Sequence, residues 1–232
     1  IQVLSTLGLT KDDIKALGAQ DNIERAVGAY CIDAWAGDLV AKAYSITDGM
    51  NLLTVTSGRM PESPDECIVD KNLLEKMKIS VGDSITIDPS DDYEDCLTHK
   101  NFTIVGTAVS PYYISVERGS ASIGSGNVRA YVYLPEGAFD LDYYTVAYAK
   151  VKGAQELTAF TDEYDDYIDD VMDSLKDFGD RRAKLRYDDI IDEAQGKIDD
   201  AQKELDDKEK EADEKLSDAE QELKDARRKL DK

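Results

Sequence analysis

Apolar residues change their spacing along this chain, and each change predicts a different kind of element. From Arg182 to Lys232 a thin apolar line, Ile198, Ala201, Leu205, Ala212, Leu216, Ala219, Leu223, Ala226 and Leu230, recurs at steps of three, four and seven, with Asp, Glu, Lys and Arg filling the rest. Those steps keep one stripe on an α-helix, so the stretch reads as a coiled-coil strand, a rod on the order of 70 Å long that must find a partner. Both the alanine and the leucine series jump eleven positions once, Ala201 to Ala212 and Leu205 to Leu216. That shared slip is a stutter near Lys208 to Glu211, which locally unwinds a supercoil. Alanine along one seam suits close approach of a second helix, so the sequence predicts one arm of an antiparallel hairpin whose return arm lies beyond Lys232.

Ahead of the rod the pattern is that of short strands and short helices. Thr10-Lys11-Asp12-Asp13 has the form of a capped helix start leading into Ile14 and Leu17 and stopping at Gly18. Ile23 to Trp35 and Asp38 to Thr47 are β-branched, aromatic and small, and Ala36-Gly37-Asp38 between them predicts an antiparallel pair, with Met50 to Thr56 as a further strand. Strands are also expected at Cys67 to Val69, Ser84 to Ile87, Phe102 to Val109, Arg129 to Leu134 and Tyr143 to Val151. Asp70 is placed to cap a short helix bearing Leu73, Leu74 and Met77. From Gly153 the period lengthens, and Leu157, Phe160, Tyr164, Tyr167, Ile168, Val171, Met172 and Leu175 predict an amphipathic helix packed on the sheet and ending near Phe178-Gly179. The fold class is therefore α+β: a mixed or antiparallel sheet body with short helices over 1–178, followed by a long C-terminal coiled-coil helix over 179–232.

Composition narrows the function classes. A formal charge of −22 over 232 residues, with no clustered Lys/Arg surface, argues against a nucleic-acid partner. No run of apolar residues is long enough to cross a bilayer, and Ile1 to Leu4 reads as the stub of a longer apolar segment. Cys31, Cys67 and Cys96 are widely separated and His99 is the lone histidine, so a four-ligand zinc site cannot be assembled, and the thiols read as buried or idle. The acidic loop Asp88 to Asp95 lacks the glycine and glutamate of an EF-hand and reads as solvated. Val109 to Asn127, with Tyr112, Tyr113, Gly119, Gly124 and Gly126, lacks the lysine and helix of a phosphate-binding loop and reads as flexible. His99 beside an acidic loop reads as a surface residue rather than a general base. No catalytic residue, cofactor or metal is expected.

The stretch GRMPESPDECIVDKNLLEKMKISVGDSITI from Gly58 to Ile87 carries a resemblance. Its order, G-R-x-P, an acid before a short apolar strand, a Leu-bearing helix and V-G-D-x-I, resembles the external (periplasmic core) domain of FtsX-like and MacB-like ABC transporter permeases. The matching positions are Gly58, Arg59, Pro61, Glu66, Gly82 and Asp83, and the likeness extends more loosely through FTIVGTAV at Phe102 to Val109 and through Val128 to Leu134. The long acidic coiled coil is similar to an insertion in FtsX-like permeases of bacteria lacking an outer membrane. The resemblance implies a non-catalytic domain on the extracellular face of the plasma membrane. Its partners would be transmembrane helices of the same permease, a separate cytoplasmic ATPase subunit, and an extracellular protein, peptide or lipid. The alternative is a secreted or surface structural protein whose coiled coil mediates oligomerisation or adhesion. Either way the unpaired rod predicts self-association of this chain.

Overall fold

The structure, a computed structural model, describes residues 1–113 and 118–230. In chain order its elements are β1 (Gln2–Val3), α1 (Lys11–Gly18), β2 (Ile23–Ala29), β3 (Cys31–Ala36), β4 (Leu39–Ser45), β5 (Thr54–Gly58), β6 (Glu66–Val69), α2 (Lys71–Met77), β7 (Ser84–Pro89), β8 (Asn101–Val109), β9 (Ala130–Leu134), β10 (Val146–Val151) and α3 (Asp162–Leu230), with three short 3-10 turns between them. The α+β class expected from the pattern is the class observed. The chain separates into two units, Ile1–Lys176 and Asp177–Lys232.

Local signals set the two small helices. Thr10 and Asp13 exchange hydrogen bonds in a full capping box at the start of α1, which satisfies two amide donors that the first turn leaves free. Asp70 accepts from the Leu73 amide at the start of α2, and Lys78 ends that helix in the left-handed conformation.

The first unit holds two sheets. In the smaller, β10 lies between β1 and β2, all antiparallel, and Gln2–Val3, inside the Ile1 to Leu4 stretch expected as the stub of a longer apolar segment, forms the edge strand β1. The larger runs β5-β8-β6-β9-β4-β3-β7, and β7 also pairs with β8, so β8, β6, β9, β4, β3 and β7 close into a barrel with β5 laid on the far half of β8. Alternation along the strands fills it: Ile32, Ala34 and Ala36 of β3, Ala41 and Ala43 of β4, Cys67 and Val69 of β6, Ile85 and Ile87 of β7, Phe102 and Ile104 of β8, and Ala130, Val132 and Leu134 of β9 form one buried cluster.

The pattern misplaces three things. Ile23 to Trp35, expected as one strand, is cut at Tyr30: β2 belongs to the small sheet and β3 to the barrel. The transfer is pinned by the Tyr30 amide donating to Ser45 Oγ at 2.8 Å and the Cys31 amide donating to Thr145 Oγ1 at 2.7 Å. The amphipathic helix starts at Asp162 rather than near Gly153, because Thr161 caps it, accepting from the Tyr164 amide at 3.3 Å. Phe160 is consequently outside the helix, 93% exposed and with φ 66°, while Tyr164, Tyr167 and Ile168 are half-buried and Val171 is buried. The helix does not end at Gly179. It continues to Leu230, since helix-favouring residues on both sides outweigh the ~1 kcal/mol that one interior glycine costs.

Candidate functional site: a braced strand, an open seam and a tyrosine pocket

Gly58, Arg59, Glu66, Gly82 and Asp83 border β8, and Pro61 sits in the turn between Arg59 and Glu66. Gly58 sits at φ 71°, where a Cβ would collide with the Val105 carbonyl oxygen, so glycine alone fits this crossing. The Arg59 amide then donates to Val105 O at 3.0 Å. On the other flank the Gly82 amide donates to Ile104 O at 2.8 Å, and the Asp83 carbonyl accepts from the Ile104 amide at 2.9 Å. Asp83 fixes its own turn by accepting from the Ser80 amide at 2.9 Å. Between the flanks, Arg59 grips Glu66 through both guanidinium nitrogens, at 2.7 and 2.5 Å, and Glu66 also accepts from the Glu62 amide at 2.8 Å. Pro61 lies inside this closed turn. The Arg59 bonds, then the Glu62 amide, hold the Glu66 carboxyl down to about 2. The arrangement braces β8 over residues 103–106, where its neighbour changes from β7 to β5.

The coiled-coil seam is open. Ile198, Leu205, Leu216 and Leu223 are 51–72% exposed, and Ala201, Ala212, Ala219 and Ala226 are exposed as well; the Leu230 side chain lies outside the described residues. In a straight α-helix each seven-residue step drifts by about 20°. The eleven-residue step turns the opposite way by a similar angle, so the stutter keeps the stripe on one face. Polar pairs of the helix itself flank that point, Lys208 with Glu204 at 2.5 Å and Lys215 with Glu211 at 2.6 Å. Pairs of this kind give only a few tenths of a kcal/mol each.

A third feature was not anticipated. Tyr131 and Tyr133 on β9 and Tyr44 on β4 point outward from the barrel and form a second buried cluster with Ile68, Ala108 and Val128. Of the two tyrosines expected in a flexible loop, Tyr113 packs against it, while Tyr112 stays 36% exposed at its edge. Tyr113 stacks on Tyr131 with ring centroids 3.4 Å apart and shares a hydroxyl hydrogen bond with Tyr44. Tyr112 lies 6.1 Å from Tyr44 and 5.3 Å from Tyr148 of β10. The cluster thus spans the junction of barrel and small sheet. The loop beyond is anchored too: Arg118 lies 5.0 Å over the Tyr131 ring and pairs with Asp70, the cap of α2, and the Ser122 amide donates to Asp33 at 2.6 Å. Residues 114–117 of that expected loop lie outside the described residues. Beside the cluster is a cavity of about 280 Å³ lined by Tyr44, Tyr112, Tyr133 and Tyr148 with residues of the 45–53 loop, Met60 and Ser110. Burial raises the hydroxyls of Tyr131 and Tyr148 to about 12 and pushes Tyr44, Tyr112, Tyr113 and Tyr133 up further. All six stay neutral at physiological pH.

The remaining candidates bring together no reactive set. Cys31, Cys67 and Cys96 are free, and burial raises all three, Cys67 to about 12 and Cys96 to about 11, which leaves little thiolate at neutral pH. His99 packs on Phe102 at 4.5 Å and its Nδ1 shares a 2.9 Å hydrogen bond with Thr98. Among the described residues no His, Cys, Asp or Glu group is arranged to hold a metal ion, and no helix is long and apolar enough to cross a membrane.

No protein-family model and no curated protein matches the chain. Among solved structures, it is similar to the extracellular domain of the noncanonic ABC-type transporter YknZ from Gram-positive bacteria, at 16% identity and a TM-score of 0.41, covering 66% of this chain and 78% of that one. It is also similar to the periplasmic region of MacB from Actinobacillus actinomycetemcomitans, at 12% identity and a TM-score of 0.39, covering 72% of this chain and 74% of that one. The first is an extracellular domain of an ABC-type transporter and the second a periplasmic region. Likenesses of this size place no activity on the chain.

Proposed function

We propose that this chain is a non-catalytic extracellular domain of an ABC transporter permease. Membrane helices of the same polypeptide hold it at the outer face of the plasma membrane. There it relays movement driven by a separate cytoplasmic ATPase to an extracellular protein, peptide or lipid partner. The supporting observation is the brace on β8. Gly58, Arg59, Pro61, Glu66, Gly82 and Asp83 were singled out by their likeness to permease external domains, and five of them, all but Pro61, border that one strand. A motif of that kind serves to hold an architecture, which suits a domain that transmits force without performing chemistry. The open seam supplies a docking face for another helix, and the stutter is the point where a supercoil formed there would flex.

Expressed as the full-length product, a cysteine placed at the exposed Glu156 (E156C) should react with a membrane-impermeant maleimide in intact cells, while the native protein, its thiols buried or suppressed, reacts poorly. The product should fractionate with membranes and co-purify with an ATPase subunit. Labelling only after lysis would overturn the reading, and release of the whole product into the medium would favour the adhesion alternative. Three residues inserted at Lys208 restore an unbroken heptad phase. Unchanged transport or partner activation in the full complex would remove the flexing role.

A further inference from the structure

The open seam of α3 specifies its partner by the order of its large and small residues. Ile191, Ile198 and Leu205 alternate with Ala194 and Ala201 before the stutter, and Leu216 and Leu223 alternate with Ala212, Ala219 and Ala226 after it. Large and small residues therefore hold separate core positions of the heptad on both sides of the break. Ile191, Ile198, Leu205, Leu216 and Leu223 are 48–72% exposed, and the alanines are exposed too. Laid antiparallel on a copy of itself, with the two-fold axis between Lys208 and Glu209, the seam meets its own complement. Leu205 falls opposite Ala212, Ala201 opposite Leu216, Ile198 opposite Ala219, Ala194 opposite Leu223 and Ile191 opposite Ala226. Each of these layers joins a large side chain to a small one, so a single helix spacing suits them all. The same axis brings the two phase breaks together; shifted by a heptad, each break would face unbroken heptads.

Parallel pairing fails on size and on charge. It sets Ile198 on Ile198 and Ala201 on Ala201, so wide and narrow layers alternate and no one spacing fits both. It also sets residues 188–207, with nine acids and two lysines, against an identical stretch, which repels along its length. Turned end for end, that stretch meets residues 210–229, with seven acids and six basic residues. Positions flanking the seam then match in sign: Glu204 of one copy beside Lys215 of the other, Lys197 beside Glu222 and Asp188 beside Arg227. Glu204 and Lys215 already pair within their own helix, with Lys208 and Glu211, so these charges choose the register more than they add strength. We infer that the seam is occupied by a second copy of this chain, the two α3 helices running antiparallel about an axis at the stutter. The inference rests on the reading of the seam as a docking face for a helix, and it names that helix.

Cross-linking with a suberate bis-ester that joins lysines, applied to an equimolar mixture of 14N and 15N chains at high micromolar concentration and repeated on the full-length product, tests this. Lys197 and Lys224 lie roughly 40 Å apart along one helix at about 1.5 Å per residue, beyond that reagent's reach, but are neighbours across the antiparallel pair. Lys197–Lys224 links joining one light and one heavy peptide are expected. Lys197→Glu should weaken association about three- to fivefold in sedimentation equilibrium, since it acts at two symmetry-related pairs, and adding Glu222→Lys should restore it. Links of Lys197 to Lys197 and of Lys224 to Lys224 in place of Lys197–Lys224, or association that Glu222→Lys weakens further, would overturn the antiparallel register and leave the docking face standing. Absence of any light–heavy link would overturn the second copy as occupant. So would links in the full-length product that run from Lys197 to lysines outside this chain instead of to Lys224, and these would give the seam to another helix of the same polypeptide.

Discussion

The barrel and the rod use the same apolar residues to opposite ends. Phe102 and Ile104 on β8 are at most 1% exposed, each facing a closed ring of strands from the same chain. Leu216 and Leu223 of α3 are 61% and 72% exposed, although their spacing is at least as regular. Periodicity says which side chains share a face; it does not say whether anything covers that face. In the barrel the cover is intramolecular, so stability depends on this chain alone. On the rod the same kind of side chain stays exposed in this chain, and a second helix laid along it would supply the cover.

The sharpest way to break the contrast is to cut both sides equally. Ile104→Ala should destabilise the barrel by about 2–5 kcal/mol, read as a fall in the urea midpoint followed by Trp35 fluorescence. Leu216→Ala should leave that midpoint within about 0.5 kcal/mol. Comparable losses would mean the seam is already covered within the chain. A second, smaller effect concerns assembly. At high micromolar concentration the native chain should sediment as a self-associated species, and Leu205→Asp with Leu216→Asp should return it to monomer. A native chain that stays monomeric while fully helical by circular dichroism would count against the seam as an interface.

Smaller still is the helix's own preference. Nothing lies within 4 Å of the position a Cβ would take at Gly179. Gly179→Ala should therefore raise the stability of that stretch by about 1 kcal/mol, seen as a higher helix melting temperature with the urea midpoint of the barrel unmoved. The least effect is expected from the brace, where it is the pH dependence that is informative. Glu66 has a folded-state carboxyl lowered to about 2 by Arg59. Its contribution is therefore complete above the ordinary glutamate value of about 4.3 and is lost as pH falls through about 2. Native chain and Glu66→Gln should differ in urea midpoint at pH 7 and converge toward pH 2. A gap that persists at pH 2 would mean Glu66 acts by packing alone.

How much of this was legible in the sequence follows the distance over which each feature is determined. Thr10 with Asp13 and Asp70 with Leu73 are settled within one helical turn, and both caps form as expected. Nearly every strand expected from alternation forms as well. What alternation cannot carry is partnership. The closing pair of β7 with β8, and the cut at Tyr30 that sends β2 and β3 to different sheets, depend on residues distant in sequence such as Ser45 and Thr145. Phe160 fits the helical spacing but falls before the cap at Thr161. Gly179 has the composition of a stop without the termination. The tyrosine cavity draws on β4, β9, β10 and two loops, so no local pattern could outline it. The available signal was β9 itself: Ala130 to Leu134 alternates small or aliphatic residues with tyrosines, and a strand with bulky side chains on both faces needs a cover on each.

A ring of strands also has a mechanical consequence. An open sheet can be peeled from one side, a strand at a time, by any force that catches its border. In the hoop formed by β8, β6, β9, β4, β3 and β7 there is no border to catch, and unzipping has to break two ladders at once. Gly58 and Gly82 fasten the turns on either flank of the strand where that hoop is joined, so a tug there is shared around the whole circumference.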